Sequence, residues 1–148
     1  MTEKTSEAAH TDSLTIGVGT NPDLMESLGG VKLIEFDPIA KSIALQFECL
    51  PRFCHSNGRV AQGGFVTAWL DAAMAHAVLF CNNRQLNVAS LDINVRFMRA
   101  VGPGTVVARG RIVRQGRRVA FMEAQLYDGS GDCVATATSS GMLVPMSD

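Results

Sequence analysis

The chain has 148 residues, 47% of them hydrophobic and 18% charged, with a formal net charge of −1. This length suits one domain with a substantial core, and the composition is ordinary for a soluble globular protein. The near-neutral charge supplies no field for nucleic acid or an anionic membrane surface, so neither is expected as a partner.

Four cysteines, Cys49, Cys54, Cys81 and Cys133, are widely spaced and form no C-x-x-C pair. That spacing describes neither a zinc site nor a disulfide framework, and no metal or other cofactor is expected. The polar N-terminus lacks the apolar stretch of a secretory signal, so the thiols are expected to be reduced and the chain cytoplasmic.

In chain order, Met1 to Ser13 mixes Thr, Ser, Glu, Lys and Asp with almost no large apolar group. It reads as a disordered tail, leaving residues 14–148 as one domain. Asn21 to Gly30 reads as a short helix, with Asn21 as cap, Pro22 in the first turn and Gly29 as terminator. Val31–Phe36 and Ser42–Cys49 read as strands around a turn at Asp37-Pro38, and Ile43, Leu45 and Phe47 alternate with polar neighbours. Pro51 to Ala61 is expected as a loop carrying His55, Ser56, Asn57 and Gly58.

The stretch from Gln62 to Phe80 is the longest apolar run, rich in Ala, Leu and Met, and predicts a helix buried on nearly every face. At fewer than 20 residues, with an Asp and a His inside, it is a poor membrane span. Between Arg59 and Arg84 its only acidic group is Asp71. A carboxylate there must be paired, hydrogen-bonded or in use. A structural Asp with a backbone or Arg partner satisfies that requirement, and so does a catalytic one. Gly63 and Gly64 at the helix start leave N–H groups where the helix dipole favours an anion or a developing oxyanion. An oxyanion site at the tip and a carboxylate about two turns in form a catalytic layout.

Beyond the helix, Asn82-Asn83-Arg84 turns the chain. From Leu86 to Arg99 alternation puts Leu91, Ile93, Val95 and Phe97 on one face, and Ser90, Asp92, Asn94 and Arg96 on the other. Strands at Thr105–Arg114, Val119–Tyr127 and Cys133–Val144 follow, joined by turns at Gln115–Arg118 and Asp128–Gly131. Two strands, one long helix and a meander of four strands predict a two-layer α+β domain with the antiparallel sheet wrapped round the helix.

The run Asn57-Gly58, Gln62-Gly63-Gly64 and Leu70-Asp71-Ala72-Ala73-Met74 resembles the signature of hot-dog-fold acyl-CoA thioesterases of the phenylacetate-degradation type. Ser90 to Arg99 and Gly116 to Ala120 are similar to that family's third strand and following hairpin, so the likeness runs from about Leu45 to Leu143. The resemblance implies a sheet curled round a central helix, an acyl-CoA substrate, and two protomers sharing active sites as a homodimer or dimer of dimers. It implies Asp71 as the catalytic carboxylate and Gly63 as the backbone N–H that polarises the thioester carbonyl. It also implies Ser90 as a water-placing hydroxyl, usually from the partner subunit, and Asn57 as a loop residue near the thioester. Two departures are visible. Gln62 stands where the family often has His, which leaves it an orienting hydrogen bond but no proton chemistry. An ungapped match at the loop falls on Ser56 rather than Asn57.

Other candidates are weaker. His76 lies five residues after Asp71, about 140° round the helix, and reads as structural. His55 is a candidate substrate contact or a solvated loop histidine, and no nucleophile elbow is present. Arg114, Arg117 and Arg118 crowd one hairpin turn, either as a solvated face or as a site for CoA phosphates. The preferred reading is acyl-CoA hydrolysis with Asp71 as general base or as nucleophile. A non-catalytic acyl-CoA binding protein, or a hot-dog hydratase or dehydratase, are the alternatives.

Overall fold

The structure, a computed structural model, describes residues 21–146, so the expected disordered tail lies outside the described residues. A short helix, α1 (Pro22–Ser27), is followed by β1 (Lys32–Asp37) and β2 (Ser42–Cys49). Asn21 caps α1 through its side-chain oxygen, which accepts from the N–H groups of Asp23 and Leu24. The stretch expected as a loop contains a 3₁₀ turn, Pro51–Phe53, and a two-residue hairpin of β3 (Cys54–His55) and β4 (Val60–Ala61). The long helix, α2, runs Gly63–Cys81, and then come β5 (Leu86–Phe97), β6 (Gly104–Gln115), β7 (Val119–Tyr127) and β8 (Cys133–Pro145).

Six strands form one antiparallel sheet in the order β1-β2-β6-β7-β8-β5. The expected meander of four is therefore a meander of three. β5 does not neighbour β6; it pairs with β8 and forms an edge of the sheet. The break at Gly102-Pro103-Gly104 carries the chain from that edge back to β2, which β6 pairs along its whole length through Gly104 to Arg111.

The sheet curls round α2. Trp69, Leu70, Met74 and Val78 of the helix are buried against Leu45, Phe47, Val106, Leu126 and Val134 of the strands. Trp69 also donates its indole N–H to the Leu28 carbonyl (2.8 Å), which ties α2 to the end of α1. By length and composition α2 passes for a membrane span, yet it is the core helix of the sheet that surrounds it. The sheet comes close to the helix backbone at Gly110 in β6, where a Cβ would lie 2.4 Å from the Ala73 carbonyl oxygen.

Two expectations from apolar patterning need correction. Burial of α2 on nearly every face does not hold, because Gly64, Ala68, Asp71 and Ala75, at spacings of four, three and four, are only half-buried or exposed. Strict alternation in β5 also fails, because the register against β8 slips by one residue between Ser90 and Asp92. Leu91 is the extra residue and is 58% exposed, whereas Ile93 and Val95 pack on the core. A bulge of this kind switches which parity faces inward.

Candidate active site

Asp71 lies at mid-helix on the half-buried stripe, not in the dry core. Small neighbours keep that stripe open, since Ala68, Ala72 and Ala75 bring no bulk over the carboxylate. The result is a cleft of about 310 Å³ between α1 and α2, lined by Leu24 and Met25 from α1, by Leu28 just past its end, and by Asp71, His76 and Leu79 from α2. Asp71 Oδ1 accepts a hydrogen bond from the Ser90 hydroxyl at 3.0 Å. Both residues belong to one chain, where the resemblance implied a hydroxyl from the partner. The β5 bulge makes this contact, because strict alternation would turn Ser90 to the outer face.

His76 lines the same cleft, although helical spacing separated it from Asp71. Its ring Nδ1 is 2.7 Å from the Ala72 carbonyl, and since a carbonyl only accepts, that nitrogen carries the proton. Burial holds its pKa below the ordinary histidine value, so the ring is neutral at neutral pH.

The tip of α2 opens on a second cleft, of about 350 Å³, lined by Gly63 and Val66 together with His55, Phe97, Arg99 and Val101. Gln62 caps the helix, its side-chain oxygen accepting the Gly64 N–H at 2.6 Å. The Gly64 N–H, expected to face substrate, is thus taken by Gln62. The Gly63 N–H has no hydrogen-bond partner among the described residues. Phe53 seats this end from below, its ring stacked on Phe65 at 4.3 Å and its carbonyl accepting from the Gln62 N–H. Asn57 is exposed on the loop between β3 and β4, with Ser56 and Asn57 both at positive φ. His55 turns its Nδ1 to the Ser56 hydroxyl at 2.9 Å.

Gly63 and Asp71 are eight residues apart, roughly 12 Å along a helix axis, and open on different clefts. Within one chain, therefore, the two do not meet on one small group. Arg117 and Arg118 are exposed on the β6–β7 hairpin. That hairpin abuts the C-terminal end of α2, where the side chains of Gln115 and Asn82 exchange two hydrogen bonds. Neither arginine forms an ion pair among the described residues, while Arg99, Arg109 and Arg111 each do. No group of three metal-ligating side chains exists among the described residues. The α1 wall of the Asp71 cleft escaped sequence reasoning; its only trace there is the spacing of Leu24, Met25 and Leu28.

A six-stranded antiparallel sheet curled round one long apolar helix defines the hot-dog class. Residues 59–135 match the thioesterase superfamily, which covers more than half of the chain. The chain belongs to the thioesterase superfamily. A phenylacetic acid degradation-related protein from Ralstonia eutropha JMP134 superposes with a TM-score of 0.78 at 28% identity, over 88% of this chain and 96% of that one. The PaaI protein of the E. coli phenylacetic acid degradation operon shares the fold, with a TM-score of 0.73 at 18% identity over 96% and 94%. So does smu.793 of Streptococcus mutans UA159, solved bound to acetyl CoA, with a TM-score of 0.69 at 16% identity over 80% and 92%. In sequence, Ta0293 of Thermoplasma acidophilum, which carries an esterase name, is 30% identical over 74 residues, 50% of this chain. That match spans only 55% of the Thermoplasma protein.

Proposed function

We propose that the chain hydrolyses acyl-CoA thioesters to the free acid and CoA. The observation that carries this is Asp71 itself, a carboxylate bonded to Ser90 and set in the wall of a cleft whose other walls are largely apolar. A structural aspartate has no need of such a cleft. The acyl group would lie between α1 and α2, with its carbonyl carbon beside Asp71. Asp71 then either takes a proton from a water held by the Ser90 hydroxyl, or attacks the carbonyl to give a mixed anhydride that water opens. Either route ends with the thiol of CoA leaving and a carboxylic acid remaining.

The carbonyl oxygen needs a donor as its charge grows, and the Gly63 N–H at the helix tip is the candidate. Because that tip is roughly 12 Å from Asp71 of the same chain, a second copy would have to supply it. The β5 edge of the sheet, 12 residues long, offers backbone groups for such pairing. A homodimer or a dimer of dimers completes this site. A fold relative bound to acetyl CoA supports a CoA thioester as a ligand the architecture accommodates.

A thiol-release assay over a panel of acyl-CoA esters, with light scattering on the same sample, tests this reading. The expected result is CoA release from apolar acyl esters by a species no smaller than a dimer at micromolar concentration. Release from no ester would remove the hydrolase reading, and an active monomer would remove the shared site.

The unpaired hairpin arginines are assigned to the phosphates of CoA. They would bind ground state and transition state equally, so replacing both Arg117 and Arg118 with Ala should raise KM and leave kcat nearly unchanged. Exposed charge contacts are screened, so KM should also rise with salt. An N-acetylcysteamine thioester lacks the nucleotide and should not respond. Equal responses from both substrates would return the arginines to a role in fold or interface.

A further inference from the structure

In a regular strand Ser90 and Ile93, three residues apart, project to opposite faces. Here both face α2, because Ser90 bonds Asp71 while Ile93 and Val95 pack on the core. The switch lies at Leu91, where the pairing passes from Ser90 opposite Gly141 to Asp92 opposite Ser140. A bulge leaves ladder groups unpaired and needs something to hold it.

The clamp is Asp92. Its Oδ1 accepts both the Ser140 N–H, at 2.8 Å, and the Ser140 hydroxyl, at 2.6 Å. Its carbonyl accepts the Ser139 hydroxyl at 2.7 Å. On the other side of the bulge β8 carries Gly141, where any Cβ would lie 2.2 Å from Val88 Cγ2, so β5 leans in without obstruction. We infer that Asp92, bonded to Ser140, fixes the bulge that turns the Ser90 hydroxyl onto Asp71, and is a positioning residue for the hydrolysis proposed above. The inference rests on that reading. The hydrogen bonds from Ser140 also hold the Asp92 carboxyl below the usual carboxylate range, so the clamp stays ionised at neutral pH. Asp92 is exposed and supports no core packing, which separates its effect from loss of fold.

The test compares turnover and KM for Ser90→Ala, Asp92→Ala, Asp92→Asn and the double Ser90→Ala/Asp92→Ala, with circular dichroism as a check on folding. Losing the Ser90 bond to a carboxylate should lower kcat by about ten- to a hundredfold. Asp92→Ala should lower kcat by a similar factor with KM unchanged. Asp92→Asn keeps an acceptor for the Ser140 N–H and should stay within about threefold of the parent. The double variant should be no slower than Ser90→Ala alone, because Asp92 acts only through Ser90. Full turnover by Asp92→Ala, or losses that multiply in the double, would overturn the inference. Should Asp92→Ala not fold, Ser140→Ala removes one donor from the clamp and is read the same way. It should slow the parent severalfold but not the Ser90→Ala background. If Asp71→Asn retains turnover, Asp71 has no part in the chemistry and the reading on which this inference rests fails. If Asp71→Asn is inactive while the Asp92 and Ser140 variants are fully active, only the positioning role is lost.

Discussion

Asp71→Asn is expected to lower thioester turnover by about 10²–10⁴, the range typical of lost acid–base groups. The amide keeps the size of the carboxyl and can still accept from the Ser90 hydroxyl, so the helix and its cleft should persist. Asp71 is only half-buried, and no compensating cation has to be left unpaired. The thermal midpoint should therefore move little while kcat falls. Binding should be affected less than kcat, since the apolar walls from Leu24, Met25, Leu28 and Leu79 are untouched. Thiol release at saturating substrate measures the effect, and near-normal kcat in a folded Asp71→Asn protein would remove Asp71 from the chemistry.

A large effect on stability is expected at Gly110, which no motif singles out. It lies mid-strand in β6, and a methyl there would sit 2.4 Å from the Ala73 oxygen, 2.5 Å from its carbonyl carbon and 2.8 Å from the Met74 nitrogen. All three atoms are backbone inside α2, so no side chain can swing aside. Either the helix lifts off the sheet or β6 bows outward, and both routes open the packing around Trp69, Met74 and Val106. Overpacking of this kind costs about 1–3 kcal/mol, and rigid neighbours put Gly110→Ala at the upper end, a loss of roughly 6–12 °C in Tm. Calorimetry decides it. An unshifted midpoint would mean that β6 does not press on the helix backbone here.

Much of the architecture was legible in the chain. The apolar run at Gln62–Phe80 announced a core helix, alternation and turn residues located the strands, and Asn21 announced a cap that the structure shows. Local chemistry suffices for these because backbone propensity, turn geometry and capping act within a few residues. The resemblance carried by Gly63, Gly64 and Asp71 pointed to the superfamily that residues 59–135 match. What failed did so where contacts are distant. Alternation assigned Ser90 to the wrong face, since the slip at Leu91 depends on β8, about 50 residues downstream. The exchange of a four-strand meander for a three-strand one was equally invisible, because strand order is a choice among partners of similar pattern.

By itself, then, the sequence determined that there is one apolar helix with a single carboxylate along it, preceded by two glycines and followed by antiparallel strands. Only the tertiary structure decided that this carboxylate faces a cleft rather than the core, that Ser90 reaches it, and that Gly63 opens on a different cleft. The physical reason is that helical and strand periodicity give directions relative to an element's own axis. Whether a given direction meets a wall, a hydroxyl or open space depends on which distant element packs there. For Asp71 that element is α1 with its C-cap, where Leu24, Met25 and Leu28 line the same cleft.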